Sequence, residues 1–186
     1  MVEANGFIGE RMFMRERKGR IVMSKIYLAY GSNMDLEQMR HRCPEAQLLG
    51  TGLLEGWRLM FKGSLTGAYA TIEREKGCIV PILLWRISAT DEERLDRYEG
   101  FPSFYYKRTI QAVKTDEHGI RTGLTRGMAY IMHEERKLGV PSMHYLKVLA
   151  KAYEKFGFDE EILGEAYDYS DREPEKVPSE SLPCLW

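Results

Sequence analysis

The run Cys78-Ile79-Val80-Pro81-Ile82-Leu83-Leu84-Trp85-Arg86-Ile87 is almost continuously apolar, and it reads as a strand buried in the core. Pro81 has no N–H to give to a ladder, so at that point the strand needs an open edge or a bulge. Shorter strand signals surround it: Lys25 to Leu28, then Leu48 to Leu53, Trp57 to Phe61 and Ala68 to Ile72, the last three read as separate strands broken by glycines. Tyr105 to Val113 and Leu124 to Met132 read as strands either side of the polar turn Thr115-Asp116-Glu117-His118-Gly119. Helical signals are fewer. Asp35 to Arg42 stops before Pro44, and Thr90-Asp91-Glu92-Glu93 resembles a capping box whose helix closes at Gly100. Beyond Pro141, the residues Tyr145, Leu146, Leu149, Ala150 and Tyr153 recur at helical spacing as far as Gly157, and a further short helix begins near Asp159. Strands mixed with a few short helices, without regular alternation, indicate an α+β fold.

The 186 residues are most simply one compact domain with a real core, two small domains being the alternative. Lys plus Arg nearly balance Asp plus Glu, leaving a net charge of -1, so no global basic field draws in nucleic acid. Cys43, Cys78 and Cys184 lie far apart without a CxxC pair, which argues against a disulfide framework and a zinc site and fits a cytoplasmic protein. No apolar run approaches the roughly 20 residues of a membrane span. Residues 1–22 read as a charged, flexible extension, with Met23, just after it, as an alternative start; 23–169 read as the domain; 170–186, rich in Ser, Pro and acids, read as a tail whose apolar end, Leu182 to Trp186, could dock on the body or on a neighbouring subunit.

Two places carry candidate chemistry. Ala29-Tyr30-Gly31-Ser32-Asn33-Met34-Asp35 follows the first strand, so a strand empties into a tight glycine turn that opens a helix. Ser32 and Asp35 resemble a capping box, and free N–H groups at such a helix start suit a carboxylate or phosphate. The plain alternative is a tight connection in which Ser32 only caps. The second is Glu99, at the negative end of its helix and among Tyr98, Phe101, Phe104, Tyr105 and Tyr106. Both position and burial disfavour its anion, which raises its pKa toward the range of a proton shuttle. Its plain alternative is a solvated glutamate beside an aromatic cluster. Other groupings are weaker. His41 and Cys43 lack further ligands, and His118, His133 and His144 are scattered, so no metal or cofactor is expected. Ser32 has no GxSxG elbow around it, and Lys107-Arg108 beside Tyr105-Tyr106 lacks a wider basic face for nucleic acid.

Tyr30-Gly31-Ser32-Asn33-Met34 after the first strand, with Leu95-Asp96-Arg97-Tyr98-Glu99-Gly100 before Tyr105-Tyr106-Lys107-Arg108, resembles the gamma-glutamylcyclotransferase family, which includes the AIG2-like proteins. Met39-Arg40-His41-Arg42-Cys43-Pro44, Leu54 to Phe61, Trp85-Arg86-Ile87 and Pro141-Ser142 through Tyr153 look like that family in the same order, so the resemblance covers about Lys25 to Tyr169. It implies a mixed, barrel-like sheet with short flanking helices and a cavity at one end. It also implies that Tyr30, Gly31, Ser32 and Asn33 bind the α-carboxylate of a γ-glutamyl group largely through backbone N–H groups, within a binding loop reaching Met34 and Asp35. Glu99 would be the general acid/base. Tyr105 or Tyr106, and Tyr130, would line the cavity, the choice between the first two resting on strand register.

The activity so implied is cyclisation of a γ-glutamyl amide to 5-oxoproline with release of the attached amine or amino acid. The expected partner is a small γ-glutamyl molecule, with no nucleic acid and no membrane, and the protein acts as a monomer or homodimer. A non-catalytic binding domain for an acidic metabolite, and an amide hydrolase using the same glutamate, are the alternatives.

Overall fold

The computed structural model describes residues 13–17, 20–64 and 67–172. The strands are β1 (Phe13–Arg17), β2 (Arg20–Ala29), β3 (Gln47–Ser64), β4 (Gly67–Ser88), β5 (Tyr105–Thr115) and β6 (Arg121–Met132). The helices are α1 (Leu36–Arg42), α2 (Ala89–Glu99), α3 (Met143–Phe156) and α4 (Glu161–Ser170), with a 3-10 turn at Ser32–Met34. The strand order is β1-β2-β4-β3-β5-β6, and β6 returns to β2, so five of the strands form a closed ring with β1 as a flap on β2. Every long pairing is antiparallel, and closure is made by the single parallel pair Tyr27↔Met128, which makes the barrel mixed. Gly127 allows that seam: a Cβ there would lie 2.6 Å from Leu28 Cδ2 and 2.9 Å from Ile26 Cγ2.

The glycines expected to separate strands bend them instead. Leu48 to Leu53 and Trp57 to Phe61 belong to one 18-residue strand, β3, whose register shifts between Leu48 and Gly50 and between Glu55 and Trp57. Gly50 (φ 135°) and Gly56 (φ 71°) supply the backbone conformations these bulges require. Ala68 to Ile72 and the apolar run at Cys78 to Ile87 are likewise one 22-residue strand, β4. Pro81 sits opposite Leu53 of β3, while β2 begins its pairing with β4 only at Leu83, so the other side of β4 is open where the N–H is missing.

Two helix starts differ from the expectation. The box on α2 is formed by Ser88 and Asp91, not Thr90 and Glu93: Ser88 Oγ accepts from Asp91 N at 3.1 Å and Ser88 N donates to Asp91 Oδ2 at 3.3 Å. Strand β4 runs directly into the helix, so the cap falls on its last residue. Asp35, not Ser32, caps α1, accepting from Glu37 N at 3.0 Å and Gln38 N at 2.8 Å. The left-handed Gly100 (φ 64°) ends α2 and leaves Glu99 as its final residue.

Leu54, Trp57, Phe61, Ile72, Ile82 and Leu83 of β3 and β4 are buried in the core, and Tyr153 of α3 is fully buried as well. Ser170, read as the first residue of a tail, is buried in the last turn of α4. Its hydroxyl accepts from Phe61 N of β3 and donates to the Ala166 carbonyl, both at 2.7 Å. Within the extension read as flexible, Phe13–Arg17 pairs antiparallel with Arg20 to Ser24 of β2. The extension up to residue 12, and the apolar segment Leu182 to Trp186, lie outside the described residues. No helix among the described residues is long and apolar enough to cross a membrane.

Candidate active site

Strand β2 ends at Ala29, and the chain turns at once through Tyr30 and Gly31 into the 3-10 turn. Met34 N donates to Gly31 O at 2.9 Å and Asp35 N to Ser32 O at 3.1 Å, so these two amides serve the turn. Met34 is buried in the core and the Asp35 carboxylate caps α1; neither lines the cavity. Gly31, Ser32 and Asn33 do, together with Glu99 from the end of α2. The cavity is partly open, with about 290 Å³ of empty space when the solvent at its mouth is included. Gly31 has φ -111°, so its role is space: a Cβ there would lie 3.3 Å from Tyr145 Oη and 3.5 Å from Ala70 Cβ.

Tyrosines form the remaining wall. Tyr27 and Tyr30 come from the β2 side, Tyr105 from β5, Tyr130 from β6 and Tyr145 from α3, with Ala70 of β4 between them. Most of their hydroxyls are committed to the scaffold. Tyr30 donates to the Tyr130 carbonyl, Tyr105 to the Ala70 carbonyl at 3.0 Å, and Tyr130 to Asp96 Oδ1 at 2.5 Å, so Tyr130 turns its ring rather than its hydroxyl to the cavity. The Tyr145 hydroxyl accepts from Ala70 N at 3.2 Å.

Glu99 and Asn33 meet directly: Asn33 Nδ2 donates to Glu99 Oε1 at 2.8 Å and to Tyr27 Oη at 2.9 Å. Burial pushes the Glu99 carboxyl up from 4.5 to about 7, against the opposing pull of the Arg42 charge and the Asn33 hydrogen bond. Burial is also the main reason that Tyr27, Tyr30 and Tyr105 titrate well above the usual tyrosine value, with Glu99 adding to each. The site therefore holds one acid/base group close to neutrality among tyrosines that stay protonated.

The alternation of β5 decides between the adjacent tyrosines. Tyr105 is buried and faces the cavity; Tyr106 points outward, where its hydroxyl donates to Glu134 Oε1 at 2.6 Å and its ring lies beside His133. Lys107 is paired with Glu92 at 2.7 Å and Asp96 at 2.8 Å. The hydroxyl of Ser32 is engaged by Tyr98 Oη at 3.2 Å and by Arg42 Nη1 at 3.3 Å. His41 is exposed while Cys43 is buried against the Asp91 carbonyl, so the pair diverges. Among the described residues, no three His, Cys, Asp or Glu side chains converge as a metal site would require. Tyr27, Ala70, Tyr145 and Arg42 were not singled out from the sequence. Tyr145 lies on the periodic face of α3 and Tyr27 inside an apolar strand, where nothing separates a cavity wall from ordinary core.

Comparison with known proteins identifies the family and the fold. The family described as "Gamma-glutamyl cyclotransferase, AIG2-like" matches residues 27–147. A gamma-glutamylcyclotransferase from Bos taurus is 33% identical over 101 residues, covering 50% of this chain and 54% of that protein; the match thus spans about half the relative's length. A solved gamma-glutamyl cyclotransferase superposes with a TM-score of 0.65 at 23% identity, over 86% of this chain and 94% of that one. YkqA from Bacillus subtilis superposes with a TM-score of 0.64 at 18% identity, over 81% of this chain and 55% of that one. At such identities the structural likeness establishes the fold, and the family match covers both the glycine turn and Glu99. The chain belongs to the gamma-glutamyl cyclotransferase, AIG2-like family.

Proposed function

We propose that this protein cyclises a γ-glutamyl amide to 5-oxoproline, releasing the attached amine, with Glu99 as general acid/base. The observation that carries this reading is the Glu99 carboxyl, raised to about 7, in one cavity with Gly31, Ser32 and Asn33. In such a substrate the α-amino nitrogen is the nucleophile, and the enzyme has to fold the chain, move protons and stabilise charge. Ionised Glu99 takes a proton from the substrate ammonium. The freed nitrogen attacks the γ-carbonyl carbon, forming the ring C–N bond and an oxyanion. As the oxyanion collapses, the bond to the leaving nitrogen breaks and protonated Glu99 returns its proton there; the second proton on the ring nitrogen then passes by the same carboxylate to the freed amine, which departs as an ammonium, so the carboxylate is regenerated and no co-reactant is consumed. Backbone N–H groups from Tyr30 to Asn33 hold the substrate α-carboxylate, and the rings of Tyr105 and Tyr130 shape the space around the glutamyl chain.

The test is product analysis on a panel of γ-glutamyl amino acids and γ-glutamylamines. Formation of 5-oxoproline with the free amine supports cyclisation; free glutamate identifies a hydrolase; binding without turnover identifies a binding domain. Glu99→Gln keeps the shape of the side chain without its proton chemistry, and turnover is expected to fall at least about 1,000-fold while much of the binding survives. Near-normal turnover in that variant removes Glu99 from the mechanism.

A further inference from the structure

The amide of Asn33 could face Glu99 with either its NH2 group or its oxygen, and only the first arrangement supports a carboxylate. What selects it lies outside the cavity. Arg42, the last residue of α1, donates from Nη1 to Asn33 Oδ1 at 2.7 Å. A guanidinium has donors and no acceptor, so the oxygen of Asn33 must point to Arg42 and the NH2 group must point to Glu99 and Tyr27. Arg42 is itself clamped: Nη2 donates to Gln38 Oε1 at 2.6 Å, Nη1 also reaches Ser32 Oγ at 3.3 Å, and the guanidinium lies 3.7 Å from the centre of the Tyr98 ring. All these partners are neutral, which leaves its charge uncancelled by them.

We propose that Arg42 is a positioning residue, which orients the Asn33 amide and, through it and through its own charge, sets the ionisation and the aim of the Glu99 carboxylate. This rests on the proposed role of Glu99. The other titratable groups that sense Glu99 from the surrounding elements are Tyr27, Tyr30, Cys43, Tyr105, Tyr130 and Tyr145. Burial raises each of them, so they are neutral near pH 7. Arg42 is then the charged neighbour that favours the Glu99 anion, and the Asn33 hydrogen bond acts in the same direction.

The experiment compares wild type with R42M and R42K in two measurements. The first is the titration of the Glu99 side-chain carboxyl, followed by carbon NMR in the protein without substrate; the second is the pH profile of kcat/KM on a γ-glutamyl amide. In R42M the Glu99 titration and the acid limb of the profile are expected to move up by about one pH unit. R42K keeps the charge but cannot hold Asn33, Gln38 and the Tyr98 face together, so it should restore most of the titration while kcat stays roughly tenfold low. A folded R42M with an unmoved Glu99 titration overturns the proposal. Should R42M fail to fold, Q38A, which removes one anchor of Arg42, carries the same test with a smaller shift in the same direction, and an unmoved titration there overturns it equally. Because the NMR measurement needs no substrate, an Arg42-dependent titration in a protein without turnover sinks the cyclase reading alone. Turnover with an Arg42-independent titration sinks this inference alone.

Discussion

Replacing Glu99 by glutamine should change how stability depends on pH, and the sign follows from the direction of the shift. The folded carboxyl titrates at about 7 against an ordinary 4.5, so between these values the native state holds a proton that the unfolded chain has released. Stability therefore falls as pH rises through this window: Glu99 is harmless while neutral below 4.5, and its penalty is complete once pH passes the folded value. The full shift corresponds to about 3 kcal/mol at 1.36 kcal/mol per unit. Glu99 keeps partial exposure, which screens part of this, so about 2 kcal/mol is the expected change. The glutamine of the variant is neutral at every pH, and the other ionisable groups largely cancel when the two proteins are compared. Urea unfolding of both at intervals from about pH 4 to 8.5 should show wild type losing about 2 kcal/mol relative to the variant between about pH 4.5 and 7.5, with no further change above. A flat difference would mean that the carboxyl is solvated like any surface glutamate. A difference of opposite sign would mean that its anion is favoured by the fold, and either result refutes the burial argument.

Gly31→Val fills the space between Tyr145 Oη and Ala70 Cβ, 3.3 and 3.5 Å from the new Cβ, and should weaken binding of a γ-glutamyl amide or of 5-oxoproline at least about tenfold by calorimetry; unchanged affinity would separate the loop from the ligand. Gly127→Ala drives a methyl to within 2.6 Å of Leu28 Cδ2 at the β2–β6 seam, and urea unfolding should register about 1 to 3 kcal/mol of destabilisation. Ser170→Ala leaves the Phe61 N–H without its acceptor and should cost about 1 to 3 kcal/mol in the same assay, which would tie α4 to the stability of the barrel.

Much of the local architecture was legible because neighbouring residues in the chain decide it. Gly100 ends α2 through a left-handed conformation that glycine adopts without penalty, and this puts Glu99 at a helix exit in the structure as in the sequence. The turn after β2 was equally readable. Misreadings arose where distant contacts overruled a local rule. Gly56 stands between two strands read from the sequence, yet pairing with β4 continues past it and converts it, like Gly50 within the first of them, into a bulge. Ser32 has the residue type and spacing of a cap, but its hydroxyl is drawn to Tyr98 and Arg42, and Asp35 caps in its place. Tyr105 and Tyr106 differ only in register, so their roles depended on which face of β5 meets the cavity.

Local chemistry along the chain was enough to specify an α+β protein, a glycine turn after the first core strand, and a carboxylate at the end of a capped helix. These follow from backbone sterics, hydrophobic periodicity and helix-end chemistry, which act over a few residues. Long-range packing was needed to make Asn33 and Glu99, 66 positions apart, share a hydrogen bond in one cavity walled by tyrosines from the β2 side, β5, β6 and α3, with Arg42 behind them. Strand pairing makes that meeting: β4 beside β2 lays α2 against the glycine turn and the β6 seam brings the tyrosines, which removes water from around Glu99 and so sets a pKa that no local sequence pattern specifies.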